Sequence, residues 1–441
     1  MKLSKSAVHI IAALNAAGFM AYAVGGCVRD SLLSKPPSDW DIATNATPKQ
    51  VRACFPSEKT IDTGLKHGTV TVVTGGEATE ITTFRIDGEY SDGRRPDDVT
   101  FTDSLKADLS RRDFTINALA YHPKHGVIDY FGGGEDLRNR VIRCVGDPDT
   151  RFSEDALRIL RAVRFSAQLG FAIEDNTLKS MEKLARNLNI VSAERIFSEL
   201  CKTLKGANAA FAIERNIRVM TEIIPEITPM IGFCQHSRYH HLDLFSHTIT
   251  ALRHSPCELA VRLAVLLHDI GKPYNFTLDE NGEGHFYGHA AKSATLTEER
   301  LLQLRCQNEL KGRVVYLVKH HGDDIKPERT TVKRALNKMG EGAFRELLAV
   351  KRADASARKE PYAVKGTALL DSVISVLDEV LLENEAFTLN RLAVNGKDLI
   401  LIGFKPGKQL GMALDILLEG VITGMILNER EHLLNEARKY L

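Results

Sequence analysis

The stretch Ala21–Thr44, AYAVGGCVRDSLLSKPPSDWDIAT, decides how the rest of the chain is read. It opens with a short apolar run, Ala21 to Val24, whose pattern predicts a strand. Gly25 and Gly26 follow at once, then Arg29 and Asp30, then a polar turn over 34–38. A second predicted strand begins near Asp39 and carries Asp39-Trp40-Asp41. Residues two apart on a strand share a face, so Asp39 and Asp41 are expected to point the same way. Adjacent carboxylates repel unless a cation lies between them. Paired metal ions held in this manner polarise a phosphate and activate an attacking oxygen. The glycine pair lets backbone N–H groups approach phosphate oxygens, and Arg29 offers a charge-assisted contact to the same group. Asp-x-Asp alone also describes an ordinary acidic strand end. Its combination with Gly-Gly-x-x-Arg-Asp is the sharper signal.

Composition sets the frame for this motif. At 441 residues the chain exceeds one ordinary core, so two to four domains are expected. Apolar content of 44% with 26% charged residues excludes a disordered chain and predicts a soluble globular one. A net charge of +1 gives no global sign of a nucleic-acid binder, so any RNA contact must use local basic patches. Seven cysteines without a CxxC pair argue against a disulfide framework or a cysteine-type zinc site and fit a reducing, cytoplasmic setting. The first residues show no signal-peptide pattern, and no run of about 18 apolar residues predicts a membrane span.

In detail, Val24-Gly25-Gly26-Cys27-Val28-Arg29-Asp30 followed by Asp39-Trp40-Asp41 resembles the nucleotidyltransferases related to polymerase beta. Within them it is most similar to the class II tRNA nucleotidyltransferases, the CCA-adding enzymes. The resemblance implies an α+β fold: an N-terminal polymerase beta-like head with a mixed sheet and helices, then an all-α neck, body and tail. The expected divisions are a head over 1–138, a neck over 139–206, a body over 207–360 and a tail over 361–441.

Along the chain, residues 4–16 have helical spacing, and Thr47-Pro48 starts a helix through about Phe55. Gly64-Leu65-Lys66-His67-Gly68-Thr69 turns into a β-branched strand, and Gly75-Gly76 predicts a hairpin. The return strand, Ala78 to Arg85, carries Glu80. From spacing, Glu80 is as readily an exposed edge residue as a third metal ligand; the resemblance implies the metal role beside Asp39 and Asp41. Residues 86–104 read as a loop, which the resemblance ties to the final A addition.

Arg111-Arg112-Asp113-Phe114-Thr115-Ile116-Asn117-Ala118-Leu119 matches the family's second motif, which implies that Arg112 contacts the nucleotide and that Asp113 holds the motif together. Ser153 to Phe165, SEDALRILRAVRF, predicts one helix with Ser153 as N-cap. On it Asp155, Arg158 and Arg161 share a face, with Arg164 one step on. By spacing this is an ordinary salt-bridged helix. An Asp accepts from an exocyclic amine and an Arg donates to ring nitrogens and carbonyls, a pattern that suits cytosine and adenine. The likeness to the family's templating helix implies that Asp155 and Arg158 read the base, while Arg161 and Arg164 support it or bind phosphate.

The middle of the chain carries a second constellation. His240 and His241 precede His247, His268-Asp269 ends the apolar helix AVRLAVLLHDIGKP, and His289, His320, His321 and Asp354 follow. Imidazole with carboxylate makes a hard-to-borderline metal site. The pattern resembles an HD-type phosphohydrolase domain, which implies His247, His268, Asp269 and Asp354 as core ligands of a divalent metal, with His289 and His320 as candidates for a second ion. The plain alternative is a set of capping and core histidines. Near the C-terminus, Lys405 and Lys408 flank a loop-to-helix entry after Pro406; by resemblance this tail grips the far part of tRNA through its backbone.

The resulting expectation is template-independent addition of CCA to the tRNA 3′ end from CTP and ATP, with two Mg2+ ions at Asp39 and Asp41. The partners implied are tRNA, through its 3′ end and acceptor/TΨC region, and the two nucleotides; no membrane is expected. Three rivals stand beside it: a poly(A) polymerase, an enzyme adding only A, and an HD phosphohydrolase with a regulatory nucleotide-binding head. The Gly64–Thr69 segment lacks the arginine-rich pattern of the first rival.

Overall fold

The computed structural model describes residues 1–88, 90 and 98–441, and the chain divides into two compact units, Met1–Pro225 and Glu226–Leu441. Residues 89 and 91–97 of the expected loop lie outside the described residues.

The first unit opens with α1 (Lys5–Ala16), β1 (Ala21–Val24), α2 (Gly26–Leu32), β2 (Asp41–Thr44) and α3 (Pro48–Cys54). It continues through β3 (Lys59–Gly64), β4 (Thr69–Thr74), β5 (Glu77–Thr83), the short β6 (Arg85–Asp87) and β7 (Val99–Phe101), and α4 (Leu105–Ser110). Strands β8 (Leu119–His122) and β9 (Gly126–Asp129) and helix α5 (Gly133–Asn139) complete the α+β part. Seven strands form one mixed sheet in the order β3-β4-β5-β2-β1-β8-β9. Helix α1 starts at Ser4, whose hydroxyl accepts from the Ala7 N–H, and it buries Ile10, Ile11 and Leu14. The Gly75-Gly76 hairpin forms as expected, with φ of 59° and 82°.

Two local expectations need correction. The second strand begins at Asp41, not Asp39. Strand β1 pairs Ala23 with Ile42 and then ends, because Gly25 turns the chain into α2 with φ 79°. Nothing on that side remains to pair with Asp39, which stays exposed in the bend before the strand while Trp40 is buried. The stretch 86–104 is not all loop. Arg85–Asp87 and Val99–Phe101 form an antiparallel ribbon, extended by Gly88 N–H donating to the Asp98 carbonyl at 2.9 Å.

Helices then take over: α6 (Pro148–Glu154), α7 (Leu157–Leu169), α8 (Asp175–Leu184), α9 (Ala193–Leu204), α10 (Ala209–Arg215) and α11 (Ile217–Ile223). Here the expected single helix from Ser153 is two. Asp147 caps α6, accepting from Thr150 N–H at 2.8 Å, so Ser153 lies inside a helix rather than at its start. Asp155 ends α6 with extended backbone (φ −144°, ψ 102°), and its Oδ1 accepts from Leu157 N–H at 3.1 Å. A short polar side chain bonding its own backbone competes with helix continuation.

The second unit is helical: α12 (Leu244–His254), α13 (Leu259–Leu267), α14 (His289–Gln303), α15 (Asn308–His320), α16 (Arg329–Ser356), α17 (Tyr362–Leu382), α18 (Gly396–Leu401), α19 (Lys408–Ile422) and α20 (Arg430–Ala437). Helix α13 is apolar nearly all round and buried along its length, as a central core helix must be. Val394, Leu399, Phe404, Leu417 and Leu433 form a smaller core in the last part. Among the described residues no helix is long and apolar enough to cross a membrane.

Gly206 follows α9 where it packs on α7, and a Cβ there would lie 2.6 Å from the Ala167 carbonyl oxygen. Gly206→Ala is therefore expected to destabilise the protein by about 1–3 kcal/mol, read as a lowered midpoint of thermal or urea unfolding. An unchanged midpoint would contradict the close approach.

Candidate active site

The sheet and the helices behind it enclose a cavity of about 540 Å3 lined by Gly25, Gly26, Arg29, Asp39, Asp41, Arg111, Arg112, Asp113, Asn117, Asp155, Leu157, Arg158, Arg161, Arg164, Phe165, Gln168 and Arg195. Seven arginines against four aspartates give this cavity a cationic wall suited to a polyanion.

Its acidic edge is built by strand pairing. β2 and β5 run parallel with Asp41 opposite Glu80, and Asp39 lies just before β2. Burial and then the neighbouring Asp39 push the Asp41 carboxyl up to about 6; Arg112 pulls it down and Glu80 adds to the rise. Asp39 and Glu80 thus both act on Asp41, a repulsion that a cation bound between carboxylates would relieve. Asp39 and Glu80 are exposed, open to an incoming ligand.

Gly25 is required twice over. Its φ is 79°, and a Cβ would stand 2.9 Å from Arg112 Nη1. Its N–H donates to the Leu119 carbonyl at 3.1 Å, fixing the turn to β8. Arg29 donates to Asn117 Oδ1 at 2.7 Å and Asp30 Oδ1 at 2.8 Å. Arg112 reaches Asp108 Oδ2 at 3.4 Å, while its Nε is buried with no hydrogen-bond partner.

Asp113 does hold the motif together. Its Oδ1 accepts from Phe114 N–H and Asn117, and its Oδ2 accepts from Arg161, Nη2 at 2.6 Å. Burial alone would raise its pKa, but Arg161 and the other donors outweigh it and hold the carboxyl at about 2. Arg161 is thereby committed to an ion pair. Arg164 pairs with Glu199 at 3.1 Å and stacks on Phe165 at 4.4 Å. Arg158 donates to Glu154 Oε2 at 2.5 Å and to the Arg111 carbonyl at 3.2 Å. Asp155, at the joint between α6 and α7, shares the cavity with Arg158 although the two are not on one continuous helix.

Sequence reasoning missed Arg195, on the first turn of α9. Its Nη2 holds Asp155 Oδ2 at 2.9 Å. Forty residues separate the pair, and no local spacing announces the contact.

The second unit gathers the other constellation. His247, His268, Asp269 and Asp354 place ligand atoms within 4.8 Å of one another and are all buried. His247 Nε2 is 2.9 Å from Asp354 Oδ1, and His268 Nε2 is 3.0 Å from Asp269 Oδ2. Asp269, His289 and His321 form a second group: Asp269 Oδ1 lies 3.4 Å from His289 Nε2 and 3.6 Å from His321 Nε2. His320 is not part of it. It sits one residue earlier on α15, about 100° around the helix, and pairs with Asp323 at 2.7 Å. All four clustered histidines aim Nδ1 at a backbone carbonyl: His247 at Ala357 (3.2 Å), His268 at Val265 (2.7 Å), His289 at Phe286 (2.8 Å) and His321 at Val318 (2.7 Å). That fixes the tautomer and turns each Nε2 inward, the usual second layer of a metal site. Asp269 is fully buried: Lys272 Nζ lies 2.8 Å from its Oδ2, while its Oδ1 faces His289 and His321 with no well-aligned hydrogen bond, a place a bound cation would satisfy. The residues present therefore fit one or two divalent ions.

In the tail, Lys405 and Lys408 are both exposed, around Gly407 (φ 141°) at the start of α19.

With the geometry in place, fold and site define a nucleotidyltransferase. The family described as the poly A polymerase head domain matches residues 21–143. The probable RNA and SrmB-binding site of polymerase A matches 170–231, and a putative tRNA nucleotidyltransferase domain 2 matches 293–437. The CCA-adding enzyme of Lactobacillus delbrueckii subsp. bulgaricus is 36% identical over 431 residues, covering 96% of this chain and 95% of that one. The CCA-adding enzyme of Geobacillus thermodenitrificans is 53% identical over 209 residues, 47% of this chain and 51% of that one; in this and similar matches the aligned part spans about half the relative's length. The crystal structure of the Bacillus stearothermophilus CCA-adding enzyme in complex with CTP superposes with a TM-score of 0.69 at 32% identity, over 98% of this chain and 96% of that one. The chain belongs to the CCA-adding enzyme family.

The raised Asp41 value has a thermodynamic consequence. The folded state holds this proton more tightly than the unfolded chain, so the contribution to stability is full below pH 4 and lost as pH rises through about 6. A displacement from about 4 to about 6 is worth at most about 3 kcal/mol. In metal-free protein, Asp41→Asn should raise the melting midpoint at pH 7.5, with the gap closing near pH 4. A lower midpoint at pH 7.5 would contradict the assignment.

Proposed function

We propose that this chain adds CCA to the 3′ end of tRNA from CTP and ATP without a nucleic-acid template. The observation that carries the reading is the cavity in which Asp39 and Asp41, the Arg112 wall and the Asp155–Arg158 pair meet, with Glu80 paired beside Asp41 on β5. Magnesium ions bound by Asp39 and Asp41, with Glu80 completing the acidic trio, would supply Lewis-acid activation of the 3′ hydroxyl and charge stabilisation for pyrophosphate. Arg112 and Arg29 line the triphosphate, and the Gly25–Gly26 turn brings backbone close to it. The tRNA 3′ oxygen forms the new bond to the α-phosphorus as the bond to pyrophosphate breaks, and the hydroxyl proton passes to solvent. Asp155 accepts from the exocyclic amine of cytosine or adenine and Arg158 donates to the neighbouring acceptor, which excludes uracil and guanine. Arg195 acts on the choice by fixing Asp155. Asp113 with Arg161 joins the β-sheet part to α7, and Lys405 and Lys408 contact tRNA phosphates. Action on tRNA places the protein in the cytoplasm.

A second reading concerns the histidine cluster: a metal-dependent phosphohydrolase site of the HD type at His247, His268, Asp269 and Asp354, with His289 and His321 for a second ion. The carbonyl-anchored histidines favour it.

Two substitutions separate the sites. Asp41→Ala is expected to lower CTP and ATP incorporation into tRNA at least a thousandfold while circular dichroism stays native; retained incorporation would refute the active-site assignment. His268→Ala is expected to abolish manganese-dependent phosphoester hydrolysis and leave incorporation intact, measured on the same preparation. Hydrolysis that survives the change would refute the HD reading.

A further inference from the structure

Phe165 lies among the arginines that line the first unit's cavity. It is buried, and the Phe114 ring packs against it edge to face, with centres 5.8 Å apart and planes at 84°. That contact alone describes an ordinary core residue. The charged surroundings do not. Three guanidinium groups stand close to the ring centre: Arg164 at 4.4 Å, Arg29 at 5.1 Å and Arg161 at 5.7 Å. A guanidinium over an aromatic face is drawn to it by the ring quadrupole. Arg29 arrives from α2, whereas Arg161 and Arg164 share α7 with Phe165.

Like charges gathered this closely repel one another. Arg29 is answered by Asp30 and Asn117, and Arg161 by Asp113. Arg164 is answered less well. Its Nε lies 3.1 Å from Glu199 Oε2, yet neither atom has a well-aligned hydrogen bond. Glu199 also accepts from Lys202, through Oε1 at 3.3 Å. Around the ring, then, the cations Arg29, Arg161, Arg164 and Lys202 outnumber the carboxylates Asp30, Asp113 and Glu199. Burial lowers the Arg164 pKa; Glu199 and Asp113 oppose that shift, and the charges of Arg161 and Arg29 add to it. The aromatic face is what lets the guanidinium groups stay together with too few anions, and an anion entering the cavity completes the balance.

We infer that Phe165 is a positioning residue for nucleotidyl transfer: its ring holds Arg164 beside Arg29, so that the two meet the incoming triphosphate as one cationic surface. The inference rests on the proposed reading of this cavity as the nucleotide site. Phe165 acts through the two arginines rather than on the substrate. An aliphatic side chain would still pack beside Phe114, but without a quadrupole it would not hold the guanidinium groups against their repulsion.

The test places pentafluorophenylalanine at position 165 of the full chain. That ring keeps nearly the shape of phenyl and reverses the sign of its quadrupole. Binding of inorganic tripolyphosphate is measured by calorimetry without magnesium, and KM and kcat for CTP and ATP are measured on tRNA with magnesium. Circular dichroism reports the fold. Tripolyphosphate binding should weaken about fivefold or more. KM for both nucleotides should rise about threefold or more, with a smaller change in kcat. Phe165→Leu should change both readouts in the same direction, and Phe165→Tyr should stay within about twofold of the native protein. Tripolyphosphate binding left at the native level in the folded fluorinated protein would overturn the proposal and leave Phe165 as core packing. A loss confined to kcat would overturn it too. If the fluorinated protein fails to fold, Phe165→Leu and Phe165→Tyr decide by the same readouts, and equal values in the two would overturn the proposal. A native chain that neither binds tripolyphosphate nor incorporates either nucleotide would instead overturn the nucleotide-site reading beneath it, and the proposal with it.

Discussion

The parallel pairing of β2 with β5 is the constraint on which the nucleotidyl-transfer site depends. It sets Asp41 beside Glu80, and the turn at Gly25 stops β1 so that Asp39 can swing in from the bend. Like charges are thereby forced together at a sheet edge, and the sheet core of Ile42, Val70, Val72 and Ile81 opposes their repulsion. A one-residue slip between β2 and β5 would send Asp41 and Glu80 to opposite faces. The alternation along β5, with Thr79, Ile81 and Thr83 buried and Glu80 exposed, opposes that slip, so the pattern that stabilises the fold also places Glu80 beside Asp41.

The second dependence is the ion pair of Asp113 with Arg161. It ties the motif after α4 to the face of α7 and leaves Asp155 and Arg158 to look into the same cavity. A buried pair of this kind contributes little net stability but is costly to break from one side. Its value here is geometric: Asp155 and Arg158 are held in one frame with Arg112 and Asp41. Arg195 extends the frame by holding the Asp155 carboxylate from α9.

Much of this is legible in the sequence, for reasons that differ by residue. Asp39, Asp41, Arg29 and the glycine pair are close in sequence, so local spacing carries them. Asp155 and Arg158 are legible too, but the break between α6 and α7 is not, because Asp155 suits a helix N-terminal turn as well as the extended joint it occupies. Asp39 reads as part of a strand that in fact starts two residues later, since strand ends depend on which partner strand stops first. His320 and His321 cannot be told apart without the helix phase, and only packing supplies it. Arg195 is invisible because its partner lies forty residues away. The histidine cluster is recognisable from residue types, yet the anchoring of every Nδ1 to a carbonyl is a property of the fold alone.

The proposed function turns on protein side chains, rather than a template, choosing C, C and then A. The most direct measurement supplies CTP alone, ATP alone, or both, with magnesium, to tRNA transcripts lacking CCA, ending in C, or ending in CC. Completion of CCA on all three with both nucleotides, followed by a stop, is the expected result. Growth only on the transcript ending in CC, or long A tails, would contradict it.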